Sequence, residues 1–393
     1  MKNIAILVLS LTLILLVSAL ALAAVVGQQL GVFDGRFQQV YQYAILLREI
    51  DERFIGEVDL EEINIAAMTA AVYALDDRWS FFMTSESLQQ LLNHRDNVRH
   101  GIGINVDLDE DTGGMIVRRV QRGSAAETAG LVDGDIITHI DERDISGYTL
   151  TYIISLIQRP LGDSVDLTVI REDGEIVILT PIFSEIFTSP VEYELIYPDI
   201  GLIALSNFNH GSANELKAAT ESLLEKGASA FIFDVRSNSG GMVHEMTAIL
   251  NRFLPAGEIF ITVDSQGNED IIYSDSEFLD LPAVVLVDRN SFSAAEFFAA
   301  IMREYDYAII VGERTSGKGR SQTLHMLPGG NAVNLSTAEY LTKNRVSLEE
   351  IGGVTPDYYI EFTDEQFIAF LRGNLAIDYD PHIQKALYLL GNN

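Results

Sequence analysis

Ser293 and Lys318 are the residues whose types and setting suit chemistry. Ser293 lies in Ser291-Phe292-Ser293-Ala294-Ala295-Glu296, between an apolar run ending at Val287 and a stretch with helical periodicity. Small neighbours keep its approach open, and the Ala294 amide at the helix start favours negative charge there. The same placement also suits an ordinary N-cap serine. Lys318 sits in Ser316-Gly317-Lys318-Gly319, with Gln322 four residues on as a neutral hydrogen-bond partner. A serine hydroxyl needs a base to attack a carbonyl. The seven histidines include no recognisable triad partner, and no G-x-S-x-G elbow is present. A lysine serves if its cation is destabilised by about 4 kcal/mol, which burial without a counter-carboxylate would do. Serine plus neutral lysine is an acyl-transfer pair.

A third component lies upstream. The run Phe231-Ile232-Phe233-Asp234-Val235-Arg236-Ser237-Asn238-Ser239-Gly240-Gly241 reads as a buried strand entering a Gly-Gly turn before a helix. Free amides at such a turn stabilise a developing oxyanion, so Ala294 and an amide of Gly240 or Gly241 are candidate donors. Asp234 and Arg236 read as an internal ion pair. Gly312 to Lys318 also fits the G-x-x-x-x-G-K of a phosphate loop, but Gly319 replaces the hydroxyl residue that would hold magnesium, and no helix follows. No metal or organic cofactor is expected. With 26 basic and 57 acidic residues the formal charge is −31, which repels a phosphate backbone and argues against nucleic acid as partner. There is no cysteine, so disulfides, a thiol nucleophile and zinc–thiolate sites are excluded.

The positioning elements follow from pattern. From about residue 186, strand-like runs at Ile200–Ser206, Ala230–Val235 and Ala283–Val287 alternate with helix-like runs at Ser212–Lys226 and Gly241–Leu254, which predicts an α/β core over 186–375. Residues 376–393 read as a C-terminal helix. Residues 96–185 are β-rich, with strands near Met115–Val117, Ile136–Ile137, Val165–Val169 and Ile176–Ile178 and an Asp173-Gly174 hairpin turn. Within them Ser124 to Ile137 reads as a short helix ending at Gly130, then a tight Asp-Gly-Asp turn before a strand. This resembles a PDZ domain, with Gly101-Ile102-Gly103-Ile104 at the position of the loop whose amides hold a peptide carboxylate. The helix Leu150–Gln158 would form the other groove wall. Residues 28–95 read as a helical prelude, helical from Gln38 to Gln90 and interrupted by a packed turn at Leu75–Phe82. Residues 1–27 carry Lys2 and then an uncharged run from Ile4 to Val26 that as a helix spans about 35 Å, enough to cross a bilayer. It is either an uncleaved anchor, with the remaining chain outside the cytoplasm, or a cleaved signal peptide.

These pieces together resemble the C-terminal processing peptidases, the PDZ-containing serine–lysine proteases of the tail-specific type. Asp234 to Gly241 matches the family's Asp-x-Arg-x-Asn-x-Gly-Gly, Ser291 to Glu296 its Ser-x-Ser-Ala-x-Glu, and Gly317 to Gln322 its Gly-Lys-Gly with a glutamine four beyond the lysine. Leu75–Phe82 and Gly352–Asp357 match as well. The resemblance implies a ClpP/crotonase-like core, Ser293 as nucleophile, Lys318 as general base, Gln322 as the residue orienting the lysine, and protein substrates with accessible C-terminal tails. It also implies that Arg159 stands where relatives link PDZ and catalytic domains, and that homodimers form through the prelude and C-terminal helix. Ser239, Phe292 and Ala295 depart from residues common in the family. Phe292 replaces a small one, which narrows the cleft or shifts its preference. A different class, a catalytically silent PDZ-bearing scaffold, is the competing expectation.

Overall fold

The computed structural model describes residues 17–18, 37–109, 111–275 and 277–391. Apart from Val17 and Ser18, the expected membrane-spanning run lies outside the described residues. The chain divides into two units, residues 1–76 and 77–393. The first holds helices Phe37–Arg53 and Leu60–Tyr73. Asp59 caps the second of these by accepting from the amides of Glu61 and Glu62, and the Tyr43 hydroxyl donates to Asn64 at 2.7 Å.

The second unit opens with β1 (Phe81–Met83), the helix Ser85–Arg95 and β2 (Val98–Gly101). There follow β3 (Ile104–Leu108), β4 (Met115–Val120), β5 (Ile136–Ile140), β6 (Arg143–Asp144), β7 (Leu167–Ile170) and β8 (Ile176–Leu179), which form one antiparallel sheet in the order β3-β4-β5-β7-β8 with β6 on β5. Alternate residues such as Met115, Val117, Ile137, Leu167 and Val169 turn inward against Ile153 and Ile157 of the helix Leu150–Ile157. Val106 and Ile104 of the edge strand β3 pack beside them. The chain leaves through β9 (Ser184–Phe187), which pairs antiparallel with β2, so both ends of the inserted domain are zipped together.

The peptidase-like core then runs β10 (Val191–Ile196), β11 (Ile200–Leu205), β12 (Ala230–Asp234), β13 (Gly257–Asp264), β14 (Glu269–Ser274), β15 (Ala283–Val287), β16 (Ala308–Gly312), β17 (Arg320–Met326), β18 (Ala332–Leu341) and β19 (Tyr358–Tyr359). One sheet, β10-β11-β12-β15-β16-β19, is parallel except for β10. Its strands are apolar on both faces because both are covered. Phe231, Phe233, Val285 and Val287 meet the helices Ser212–Glu225, Val243–Phe253 and Ala294–Glu304, whereas Ile232, Val284, Leu286 and Val311 meet Ile383 and Ala386 of the C-terminal helix Pro381–Gly391.

A second antiparallel sheet, β1-β18-β13-β14 with β17 on β18, was not expected from the α/β alternation. It corrects the helical reading of Gln38–Gln90: Phe81–Met83 pairs with Ala332–Asn334 as a strand, and the helix begins only after the Thr84 cap. The helix expected from Gly241 begins at Val243, because Gly241 is held in a bridge to Phe208. Arg159 does not link domains. It pairs with Asp141 and donates to the carbonyls of Leu156 and Gln158, all within the inserted domain.

The expected Asp234–Arg236 pair is present and extended. The fully enclosed Arg236 guanidinium donates to Asp234 at 2.5 Å and to Asp380 at 2.8 Å, and it lies over the Phe370 ring. Arg236 also donates to Nδ1 of His382 at 3.2 Å, which leaves Nε2–H to donate to the Ile360 carbonyl at 2.9 Å. Burial, reinforced by Arg236, holds this imidazole below its ordinary range. It therefore stays neutral in the fold, while the unfolded chain takes up a proton below about pH 6.5. Stability from this site is complete above that pH and is lost as pH falls below it. Asp380→Ala is expected to cost about 1–3 kcal/mol in urea unfolding, since Arg236 keeps Asp234 but its buried Nη1 loses the carboxylate it donates to. His382→Gln is expected to flatten the acid limb of stability between about pH 7 and 5.5.

Candidate active site

Three loops at the carboxyl ends of adjacent parallel strands converge: residues 235–242 after β12, 288–293 after β15 and 313–319 after β16. Open α/β sheets place their sites at this end. Ser293 stands at the start of helix Ala294–Glu304 with φ 52° and ψ −116°, a left-handed conformation that costs a non-glycine residue about 1–3 kcal/mol and persists only where surroundings enforce it. The enforcing group is Glu296, which is fully buried. Its carboxylate accepts from the Ser293 amide (2.9 Å), the Thr315 hydroxyl (2.5 Å), the Ser316 hydroxyl (2.8 Å), the Gly317 amide (2.6 Å) and the Lys318 amide (3.0 Å). One side chain thus binds the serine turn and the lysine loop at once.

The Gly-Gly turn is fastened to the same place. Buried Asn238 donates to the Leu205 carbonyl at 2.7 Å and accepts from the Gly240 amide at 2.8 Å. Its own carbonyl accepts from the Phe292 amide. Asp288, also buried, accepts from the Ser237 amide and hydroxyl and from the Asn290 amide. The two glycines are required: a Cβ on Gly240 (φ 91°) would lie 2.9 Å from Ser293 Cβ, and one on Gly241 (φ 153°) would lie 2.4 Å from Phe208. Because Gly240 N–H is bound to Asn238, the amides beside Ser293 without an acceptor among the described residues are those of Ala294 and Gly241.

The Ser293 and Lys318 side chains have other partners in this structure. Ser293 Oγ lies 3.2 Å from the Tyr340 hydroxyl. That buried phenol also donates to the Lys318 carbonyl. A carbonyl can only accept, so the single phenol proton belongs there and the Ser293 hydroxyl donates to Tyr340. Burial keeps the Tyr340 hydroxyl well above its usual range, so it stays neutral. Lys318 Nζ lies 4.7 Å from the centre of the Trp79 ring and makes no hydrogen bond to Ser293. Burial lowers its pKa and outweighs the opposing charges of Glu296 and Asp77, while Arg95 and Arg78 add to the lowering. The Gln322 amide donates to the Arg320 carbonyl at 2.8 Å and to the Ser336 hydroxyl at 3.3 Å.

Sequence reasoning passed over Glu296, Tyr340, Asp288, Asn238 and Trp79. Glu296, three residues beyond the serine, carried the signal of a reciprocal cap. Tyr340 carried none, since it reaches the site from β18 across a sheet the sequence did not reveal. In the inserted domain the amides of Ile102 and Gly103 have no acceptor among the described residues. The Ile102 and Gly103 carbonyls accept from Ala126 and Gln121, and Gly103 (φ 88°) packs where a Cβ would strike Ser124. Gly101 is within β2 and Ile104 begins the edge strand β3.

Such a site defines an α/β hydrolytic core with a serine at its strand-end turn and a peptide-binding insert. Residues 199–360 match peptidase family S41, and residues 116–171 match the PDZ domain. Carboxyl-terminal-processing peptidase 2 of Arabidopsis thaliana chloroplasts is 28% identical over 341 residues, 82% of this chain and 66% of that protein. The carboxy-terminal processing protease CtpA of Bacillus subtilis is 28% identical over 325 residues, 82% of this chain and 69% of that protein. The solved photosystem II D1 C-terminal processing protease shares the fold with a TM-score of 0.51 at 24% identity, over 89% of this chain and 92% of that one. The chain belongs to peptidase family S41, in its PDZ-bearing carboxy-terminal-processing group.

Glu296→Ala is expected to lower kcat/KM on the order of 10²-fold or more by freeing both loops, measured on a peptide substrate. Glu296→Gln, which keeps the shape but adds donors, should recover little of it.

Proposed function

We propose that the protein is a serine endopeptidase that captures C-terminal tails of proteins on its PDZ domain and cleaves them through Ser293 and Lys318. The observation that carries this reading is the Glu296 carboxylate, which holds the Ser293 and Lys318 amides in one grip beside the unpaired amides of Ala294 and Gly241. In the reaction Ser293 Oγ leaves Tyr340 and passes its proton to Lys318 Nζ as it bonds the carbonyl carbon. The Ala294 and Gly241 amides hold the oxyanion. The protonated lysine then gives its proton to the leaving nitrogen as the C–N bond breaks, and water releases the acyl group by the same route in reverse. Gln322, bound to Arg320 and Ser336, acts on the strand carrying the lysine loop rather than on the amine. The tail enters as a strand beside the free edge of β3, its carboxylate at the Ile102 and Gly103 amides. The apolar N-terminal run keeps the peptidase outside the cytoplasm, anchored or released.

The absence of an Nζ to Oγ hydrogen bond favours a second reading, a tail-binding scaffold without activity. Cleavage of an unfolded protein bearing an apolar C-terminus separates the two. Cleavage by wild type that Ser293→Ala and Lys318→Ala each abolish supports the dyad, and tail binding without cleavage supports the scaffold. With the dyad active, kcat/KM should rise with pH along a limb below the ordinary lysine range, since only the neutral amine accepts the proton. Amidating the tail should weaken binding, and equal binding would contradict carboxylate capture.

A further inference from the structure

The side of the site on which Lys318 lies is fixed by its task, because the same amine that takes the Ser293 proton must reach the leaving nitrogen. Residues packed on Nζ therefore face the substrate residue that follows the scissile bond. That neighbour is Trp79. Its ring lies 4.7 Å from Nζ and 4.2 Å from the Arg78 guanidinium carbon. It meets Phe292, the residue before the nucleophile, edge-on at 6.5 Å and 76°.

Backbone bonds set this wall in place. The Trp79 amide donates to Asp77 at 3.3 Å and its carbonyl accepts from Asn334 at 3.4 Å, while the Phe292 amide donates to Asn238. Ser80, next in the chain, is tied to the Ser336 amide on β18. Both aromatic side chains remain partly accessible. Among the described residues the buried side-chain polar atoms lacking a hydrogen-bond partner are Trp79 Nε1 and Asn334 Oδ1, so no hydrogen bond ties the indole ring itself.

We propose that Trp79 and Phe292 form the specificity pocket for the residue immediately after the cleaved bond, favouring aromatic or large aliphatic side chains there. The Arg78 cation at its border disfavours lysine and arginine. This rests on Ser293 and Lys318 being nucleophile and base. An aromatic face against a substrate ring and the area buried on both are worth about tenfold or more in kcat/KM between a large apolar residue and glycine.

The experiment uses the full chain and peptides sharing one C-terminal tail that differ only after the cut, as Phe, Leu, Gly or Lys. Wild type is expected to cleave the Phe and Leu peptides about tenfold or more faster in kcat/KM than the Gly peptide, with Lys slowest. Trp79→Ala should bring the Phe to Gly ratio to within about twofold, Phe292→Ala should lower it partway, and Trp79→Phe should restore most of it. Ser293-dependent cleavage that is indifferent to this residue overturns the pocket alone. So does Trp79→Ala slowing all four peptides equally, which would make Trp79 mere packing for the lysine. Failure of wild type to cut any of the peptides overturns the dyad and the pocket together.

Discussion

A single buried carboxylate holds the serine turn and the lysine loop together. Glu296 takes five hydrogen bonds from two loops on different strands, and charge-assisted bonds of this kind are about twice as strong as neutral ones. Its position three residues into the helix lets it reach back to the Ser293 amide while the loop after β16 folds over it. The strained backbone of Ser293 and the placement of Lys318 are thus one constraint. The cost is a negative charge near Lys318, which favours the lysine cation. Burial of the amine more than offsets it, with Arg95 and Arg78 on the same side of the balance.

The Gly-Gly turn is joined to the PDZ stem by a short run of hydrogen bonds. Asn97, beside β2, donates to the His210 carbonyl and accepts from Asn207, and the His210 amide donates to the Arg95 carbonyl. In the same loop the Phe208 amide donates to the Gly240 carbonyl, and the Phe208 carbonyl accepts from Met242. The stem through which the PDZ domain enters the core and the turn bearing the Gly241 amide therefore brace one loop.

What could be read in the sequence was local chemistry. The serine turn, the Gly-Gly turn and the lysine loop each announce themselves because small residues, positive φ and strand ends leave marks on neighbouring positions, as Gly240 and Gly241 do. The parallel strands were legible as apolar runs, and the PDZ domain through Gly130 and the Asp-Gly-Asp turn. The antiparallel sheet was not, since Arg320–Met326 and Ala332–Leu341 mix polar and apolar residues without a strict period, and Ala332–Leu341 pairs with β1 from far upstream. Everything that depends on that sheet was hidden with it: Tyr340 on Ser293, Trp79 on Lys318, and the bond of Gln322 to Ser336. The Gln322 amide bonds Arg320 and Ser336, and Arg159 pairs with Asp141 within the PDZ domain.

The most direct measurement is intact-mass analysis of the full chain mixed briefly with an activated ester of a peptide. Wild type should gain the mass of one acyl group, mapping to Ser293, and Lys318→Ala should acylate far more slowly at neutral pH. Acylation of another residue, or the same rate without Lys318, would contradict a serine–lysine centre.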